Sequence, residues 1–249
     1  MNLVLLDSET VSELPAGTPA AEHLLRVLKV SVGAVFWCGA KNGPRGLATV
    51  REISPEGDVR FSVAWERDAR AALPPVRLVV GLSRPQTMKK VFAAAAEIGC
   101  ARIDVFRSEK GDPAYAESSL WKSGDSALSD ILEKAAEQTC VPALPEFALS
   151  ASLAEALDAV PARAVRVALD VYGTDRSLAR TEFAPSVPAV LAVGSERGWS
   201  ERERGVLRSR GFAFAHLGER VLRVETAVSV ALSVALARID FWTPHRVLR

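Results

Sequence analysis

The chain has 249 residues, 49% of them hydrophobic, which is enough to build one large core or two smaller ones. Thirty-one lysines and arginines balance 30 aspartates and glutamates, leaving a net charge of +1. This balance provides no global attraction for a nucleic acid, so any RNA surface has to be a local patch. The longest apolar stretch, 227–237, is about half the length that a bilayer requires, and we predict a buried helix there rather than a membrane segment.

The cysteines and the N-terminal sequence favour an intracellular location. Cys38, Cys100 and Cys140 are scattered and lack metal spacing, which is typical of reduced, mostly buried thiols in a cytosolic protein. The run 1–7 has no basic flank and is too short for a signal peptide. We therefore expect a cytoplasmic protein without a disulfide.

The region from about residue 30 to residue 66 predicts a small antiparallel β domain. Turn signals at 42–44 and 54–57 separate three strand-like runs. In the third run, alternate residues from Val59 to Trp65 are apolar and the intervening ones are polar or small, as in a half-buried strand.

A linker is predicted at 69–75, because Pro74 and Pro75 continue neither a helix nor a central strand. We place the first domain at 1–72 and the second at 73–249. The second contains alternating strands and helices, which predicts a parallel sheet covered by helices. The predicted strands are 76–82, 102–106, 165–171, 189–193 and 212–217. The predicted helices are 87–98, 127–139, 153–159, 201–210 and 225–239, and 107–125 is predicted to be a long surface loop.

Two glycine-containing loops in the last third each lead from a predicted strand into a predicted helix. The first, 194–200, follows the apolar strand that ends at Val193, and Ser200 with Glu203 predicts a capping box. The second, 217–224, follows the next strand. A strand-to-helix loop places free backbone N–H groups beside a crevice. We therefore expect the two loops, on adjacent strands, to share a small-molecule pocket.

Several common site chemistries lack their sequence signals. No glycine-rich phosphate motif follows a strand, which disfavours a site that binds nucleotide phosphates. The three histidines, His23, His216 and His245, have no zinc spacing, and no Ser-His-Asp order is present. We predict no metal site, and the pocket is left with backbone groups and a few charged residues.

The two loops carry motifs in tandem. The segment 217–227 reads Leu-Gly-Glu-Arg-Val-Leu-Arg-Val-Glu-Thr-Ala, and 194–203 reads Gly-Ser-Glu-Arg-Gly-Trp-Ser-Glu-Arg-Glu. They resemble the motifs Leu-Gly-x-Arg-x-Leu-Arg-x-Glu-Thr-Ala and Gly-Pro-Glu-Gly-Gly-x-Ser-x-x-Glu of the RsmE family, with departures at Ser195 and Arg197. The RsmE family comprises uridine-N3 methyltransferases of small-subunit ribosomal RNA in the SPOUT superfamily. Shorter matches in the family's order lie at 23–29, Met88, 97–99, 108–109 and 137–138, so the resemblance covers nearly the whole chain.

This resemblance implies a PUA-like β-barrel RNA-binding domain followed by a SPOUT-type α/β domain with a deep trefoil knot. It also implies a homodimer, and we expect the apolar helix 225–239 to form the core of its interface. In the family the two loops enclose S-adenosylmethionine, which fits a pocket without a phosphate cradle. By position, the cofactor-binding residues would be Leu169, Val193, Gly194, Ser195, Glu196, Gly198, Leu217, Gly218, Val221, Leu222 and Thr226.

Methylation of uridine N3 removes a proton from that nitrogen, so a carboxylate or a cation that stabilises the anionic ring is expected. The candidate catalytic residues are Glu196, Arg223 and Glu225, with Glu196 the better base because it lies in the loop itself. Arg223 has as its alternative an ion pair with Glu225, and Glu225 could simply complement the helix dipole. Trp199 could stack on a base, but packing beneath the loop is the expected role.

Four residues of the first domain are the expected RNA contacts: His23, Arg26, Lys29 and Arg45, with Lys41 extending the cluster. An ordinary solvated face is the alternative.

Four departures from the family concern the expected RNA surface and the cofactor loop. Pro-Gln-Thr at 85–87 replaces an acidic and basic pair, and Ala94 and Val141 stand where a lysine and an arginine are common. Arg197 replaces a glycine of the cofactor loop. Two alternatives to the uridine-N3 methyltransferase therefore stay open: an enzyme for another RNA site, and a non-catalytic paralogue that binds RNA or cofactor.

Overall fold

The computed structural model describes residues 3–70, 73–122, 126–184 and 186–242. It divides into two compact units, Met1–Ala72 with Glu133–Leu144, and Leu73–Leu132 with Pro145–Arg249. The division after residue 72 falls within the expected linker. Residues 133–144, which we had placed in the second domain, group with the first unit.

The first unit contains a five-stranded sheet in the order β1-β3-β4-β5-β2. Its strands are β1 Val4–Leu6, β2 Glu13–Leu14, β3 Val35–Ala40, β4 Pro44–Ile53 and β5 Val59–Arg70. β1 runs parallel to β3, and the other pairs are antiparallel. The short helix α1, Pro19–Glu22, leads into a π-helical turn, His23–Val27. Two register shifts along β4 bend the sheet.

The three predicted strand runs of this unit are confirmed. In β5, Val59 and Phe61 are buried, and Trp65 is half-buried against the same core. Phe61 meets Phe36 edge to face, with ring centroids 5.5 Å apart. The sequence did not predict β1 and β2, because strands of three and two residues are too short to show an alternating pattern.

The second unit contains six parallel strands in the order β11-β9-β10-β6-β7-β8. The strands are β6 Val76–Gly81, β7 Arg102–Phe106, β8 Glu146–Ser150, β9 Val165–Leu169, β10 Ala189–Val193 and β11 Ala213–Ala215. The helices of this part of the chain are α2 Pro85–Ile98, α3 Ser119–Lys122, α4 Ser126–Thr139, α5 Leu153–Asp158, α6 Glu201–Ser209 and α7 Val224–Arg238. The part of α4 from residue 133 onward belongs to the first unit. The predicted parallel sheet is confirmed. Its central strands β6 and β10 are buried at every residue, because helices cover both faces of such a sheet.

Two features of this unit differ from prediction. Strand β8 was missed, because it lies at the sheet edge and none of its residues is buried. The predicted surface loop 107–125 contains a 3₁₀ turn, Pro113–Glu117, and the short helix α3. The carboxylate of Asp112 starts the turn by accepting a hydrogen bond from the Ala114 backbone N–H at 2.9 Å.

The cysteines and the last helix show the expected burial. Cys38 and Cys100 are buried, and burial raises the pKa of both thiols to about 12, so they stay protonated at neutral pH. Helix α7 buries one face, including Val228 and Ala231, while Val230 on its other side is 37% exposed. None of the helices in the described ranges is long and apolar enough to cross a membrane.

Candidate functional site

The two motif loops leave the carboxyl edge of the six-stranded sheet. Strands β10 and β11 end at Val193 and Ala215, but they are not neighbours as we expected, because β9 pairs with both. The loops therefore flank the end of β9 at Leu169. With strands about 4.8 Å apart, their starting points are about 10 Å apart. Both loops and the end of β9 thus border one crevice.

The first loop is a tight turn. The Gly198 N–H donates to the Ser195 carbonyl at 2.8 Å, and Gly198 has a φ of +66°. The buried Ser195 hydroxyl donates to Oγ of Ser108 at 3.1 Å. A side chain on Gly81, at the end of β6, would collide with the Ser195 backbone nitrogen. Gly81 lies in no recognisable motif, but its lack of a side chain lets this loop lie directly on the sheet.

Trp199 fixes the far end of the first loop. Its side chain is 1% exposed and stacks in parallel on Phe106, with centroids 5.8 Å apart. Its indole N–H donates to the Leu169 carbonyl at 2.8 Å, which ties the loop to the end of β9. The expected packing role of Trp199 is confirmed.

The predicted capping box of helix α6 is also confirmed. Oγ of Ser200 accepts from the Glu203 N–H at 3.0 Å, and the Glu203 carboxylate accepts from the Ser200 N–H at 2.8 Å. The other carboxylate oxygen of Glu203 accepts from the Glu109 N–H at 3.0 Å. The box therefore also anchors the segment that follows β7.

The second loop is more open. The Gly218 N–H donates to Nδ1 of His216 at 3.0 Å, and Gly218 has a φ of +104°. No atom lies within 4 Å of the position that a Gly218 side chain would take, so the glycine borders open space. Leu217 and Leu222 are half-buried, whereas Val221 is 75% exposed. Of the expected cofactor contacts in this loop, the two leucines can form a wall and Val221 lies at the rim.

Both candidate catalytic carboxylates, those of Glu196 and Glu225, contact the same helix, α2. Oε1 of Glu196 accepts from the Arg84 N–H and from the Thr87 hydroxyl, both at 3.2 Å, at the start of α2. Oε1 of Glu225 lies 3.4 Å from Nζ of Lys90. Thr87 and Lys90 are about one helical turn apart, so both carboxylates are held by the first half of α2. The sequence carried no signal for these α2 contacts.

Arg223 is the exposed N-cap residue of α7. The alternative ion pair between Arg223 and Glu225 is absent from the described residues, because Glu225 pairs with Lys90 instead. Thr226 is exposed on the first turn of the same helix. The guanidinium of Arg223 is therefore available to an incoming group.

In the first unit, two of the expected cations are already paired. Arg45 donates to both carboxylate oxygens of Glu66, at 3.0 to 3.3 Å, and its guanidinium lies 4.5 Å from the centroid of the Trp37 ring. Lys41 forms two ion pairs of 2.8 Å, with Asp7 and Glu133. A phosphate would have to compete with these carboxylates.

The other two expected cations are more accessible. Arg26 forms an exposed ion pair of 3.3 Å with Glu22, and Lys29 is exposed. Nε2 of His23 is buried and has no hydrogen-bond partner among the described residues. Of the expected RNA contacts, Lys29 is exposed and forms no ion pair within the described residues.

Comparisons with known proteins agree with this architecture. The family model for an RNA methyltransferase domain matches residues 71–236. The ribosomal RNA small subunit methyltransferase E of Treponema pallidum is 30% identical over 97% of this chain and 93% of its own length. The ribosomal RNA small subunit methyltransferase E 1 of Borreliella burgdorferi is 24% identical over 96% of this chain and 99% of its own length.

Solved structures share the fold over nearly the whole chain. The Neisseria gonorrhoeae methyltransferase E, bound to S-adenosylmethionine, has a TM-score of 0.79 at 22% identity and covers 95% of this chain and 97% of its own. A probable rRNA-methyltransferase from Porphyromonas gingivalis has a TM-score of 0.80 at 21% identity, and the match covers 97% of this chain and 100% of that protein. The expected SPOUT-type α/β fold is confirmed, and the chain belongs to the RsmE family of ribosomal RNA small subunit methyltransferases.

Proposed function

We propose that the protein is an S-adenosylmethionine-dependent methyltransferase that modifies N3 of a uridine in small-subunit ribosomal RNA. The observation that carries the proposal is the pair of loops, 194–200 and 217–224, which flank the carboxyl end of β9 and both match the family's motifs. The family relative from N. gonorrhoeae was solved with S-adenosylmethionine bound.

The residues at the crevice suit that cofactor. Leu169 and Val193 form a buried apolar floor, and the half-buried Leu217 and Leu222 of the second loop can form a wall of the crevice. Adenine requires apolar walls with a few backbone polar groups at its edge, and strand-end loops provide both. When bound, S-adenosylmethionine supplies an electrophilic methyl group on its sulfonium. The open space beside Gly218 allows the backbone to approach such a ligand.

Glu196 and Arg223 are our candidates for two catalytic roles, those of the general base and of the residue that stabilises negative charge. N3 of uridine loses its proton, attacks the methyl carbon, and the carbon–sulfur bond breaks. Glu196 is our proposed base: Arg84 and Thr87 hold its Oε1, so Oε2 can accept the proton. Arg223 is our proposed stabiliser of the negative charge that develops on the uracil oxygens. For Glu225, the ion pair with Lys90 favours a role in holding α7 against α2.

Gly218→Val is expected to abolish detectable cofactor binding. The substitution forces a β-branched residue into a φ of +104°, and it places a side chain in the space proposed for the ligand. Isothermal titration calorimetry with S-adenosylmethionine measures the effect. Gly17→Val is the matched control, because Gly17 has a φ of +77° with equally open surroundings but lies in the first unit.

The control separates backbone strain from loss of the pocket. Gly17→Val should be destabilised and still bind the cofactor with wild-type affinity. Wild-type affinity in Gly218→Val would place the cofactor elsewhere.

The proposal includes a homodimer formed through α7. The inner face of this helix is covered within the protomer and Ala231 is fully buried, but Val230 on the other side is 37% exposed. Val230→Arg is therefore expected to convert a dimer into a monomer in multi-angle light scattering without loss of helix content. Ala231→Arg should instead unfold the protomer, because it buries an unpaired charge. A wild-type monomer at micromolar concentration would contradict the dimer.

The trefoil knot and the cytoplasmic location belong to the same proposal. The knot is proposed from membership in the RsmE family. A cytoplasmic location follows from the ribosomal substrate.

A further inference from the structure

An exposed tyrosine follows the end of β9, between the two motif loops. Strand β9 was predicted to continue to Val171, but it ends at Leu169. There the Asp170 N–H donates to the Ala215 carbonyl at 3.0 Å, and Oδ1 of Asp170 accepts from the Tyr172 N–H at 3.1 Å. This local hydrogen bond turns the chain out of the sheet and places Tyr172 at the crevice.

The turn that presents Tyr172 is anchored on both sides. Before it, Asp170 is 9% exposed, and its Oδ2 accepts from Nε of Arg204 at 2.8 Å. The same guanidinium donates to the Trp199 carbonyl at 3.2 Å, which links the turn to the first loop. After it, the Thr174 hydroxyl donates to the Phe214 carbonyl at 3.0 Å. A tyrosine between two such anchors has a fixed backbone position.

The side chain of Tyr172 is exposed just after the end of β9. It is 69% exposed. Two other apolar side chains are exposed in the loops that follow β9 and β11, namely Val171 at 39% and Val221 at 75%. The proposed cofactor floor is buried by contrast, with Leu169 at 8% and Val193 at 5%. A ligand that covers Tyr172 therefore arrives from outside the pocket, where the RNA would approach.

We infer that Tyr172 stacks on a nucleobase of the RNA substrate and positions the target nucleotide at the pocket. The inference rests on the proposed function. A rigid aromatic face binds any base without a cation. Such a contact would add affinity for RNA in a chain that has Ala94 and Val141 where cations are common in its family. The hydroxyl of Tyr172 is not required for stacking.

Fluorescence anisotropy with two short labelled probes tests the inference without turnover: an oligouridine, and a ribose-phosphate oligomer of the same length without bases. The wild type should bind oligouridine more tightly than the abasic probe. Tyr172→Ala should weaken oligouridine binding by about tenfold and leave abasic binding unchanged. Tyr172→Phe should bind both probes like the wild type.

Three results would overturn the inference. They are a wild type that does not distinguish the probes, an equal loss on both probes in Tyr172→Ala, and a phenylalanine variant as weak as the alanine variant. Titration of Tyr172→Ala with S-adenosylmethionine separates RNA from cofactor, since a loss confined to cofactor binding would place the ring on adenine instead. Methyl transfer by the wild type is measured in parallel, so failure of the proposed function is seen independently of the stacking result.

Discussion

Replacing Arg223 with alanine is expected to lower the rate of methyl transfer by about 100-fold or more, while the affinity for S-adenosylmethionine stays unchanged. The side chain is exposed at the start of α7 and no ion pair within the described residues occupies it. Its proposed role appears only as charge develops on the uracil ring. The loss should therefore be seen in kcat, and the cofactor Kd from calorimetry should not change.

Arg163→Ala is the matched control for this experiment. Arg163 is also an exposed arginine of the second unit, but it precedes β9 and so lies at the amino edge of the sheet, opposite the crevice. Its removal should leave kcat at the wild-type value. An Arg223→Ala enzyme with wild-type kcat would remove this residue from the charge-stabilising role. An increase confined to the KM for RNA would make it a phosphate contact instead.

Trp199→Ala is expected to destabilise the second unit by about 3–5 kcal/mol, the usual cost of truncating a buried aromatic side chain. The substitution removes the stacking on Phe106 and leaves the Leu169 carbonyl without its donor. Because the first loop depends on this anchor, cofactor binding should weaken as well. Urea unfolding followed by far-ultraviolet circular dichroism measures the loss without relying on tryptophan emission.

Two further variants separate the contributions of Trp199. Trp199→Phe keeps an aromatic ring but loses the indole N–H and the volume of the second ring, so its destabilisation should be smaller than that of the alanine variant, on the order of 1–3 kcal/mol. Trp242→Ala truncates a tryptophan that is 51% exposed and should change the stability by less than about 1 kcal/mol. Equal stability of Trp199→Ala and the wild type would contradict the anchoring role.

The second unit was largely predictable from the sequence because its signals are local. A continuous apolar run such as Ala189–Val193 predicts a strand buried on both faces, and β10 has these bounds. Likewise, Ser200 and Glu203 carry their capping box within one turn of helix. Edge strands and very short strands were not predicted. Strand β8 is only partly buried, and β2 has only two residues, so neither shows a clear apolar pattern.

The site itself was less predictable, since its contacts join distant parts of the chain. Nothing near Glu196 in sequence indicates that Arg84 and Thr87 bind its carboxylate across more than 100 residues. The order of the strands is another non-local property: the motifs placed both loops at one edge, but only the pairing shows that β9 lies between β10 and β11. Tyr172 was not predicted as a site residue, because the turn that precedes it depends on contacts of Asp170 with Ala215 and Arg204, which are distant in sequence.

The ion-pair partners of the charged residues in the first unit could not be predicted from the sequence either. A cluster of cations in sequence says nothing about their partners, and the partners of Arg45 and Lys41, namely Glu66 and Glu133, lie 21 and more residues away. These cations remain proposed RNA contacts. Their ion pairs predict a weak dependence of RNA affinity on each of them, since a phosphate gained would replace a carboxylate lost.

The proposed activity can be measured by incubating the purified protein with S-adenosylmethionine and small ribosomal subunits from a strain that lacks the uridine-N3 modification. Mass spectrometry of the digested ribosomal RNA then identifies any methylated nucleoside and its position. We expect one N3-methyluridine per small subunit, formed by the wild type and not by Gly218→Val. Methylation at another nucleotide would contradict the proposed substrate. Tight cofactor binding without any transfer to these subunits or to total cellular RNA would contradict the enzyme and leave a non-catalytic RsmE-family protein.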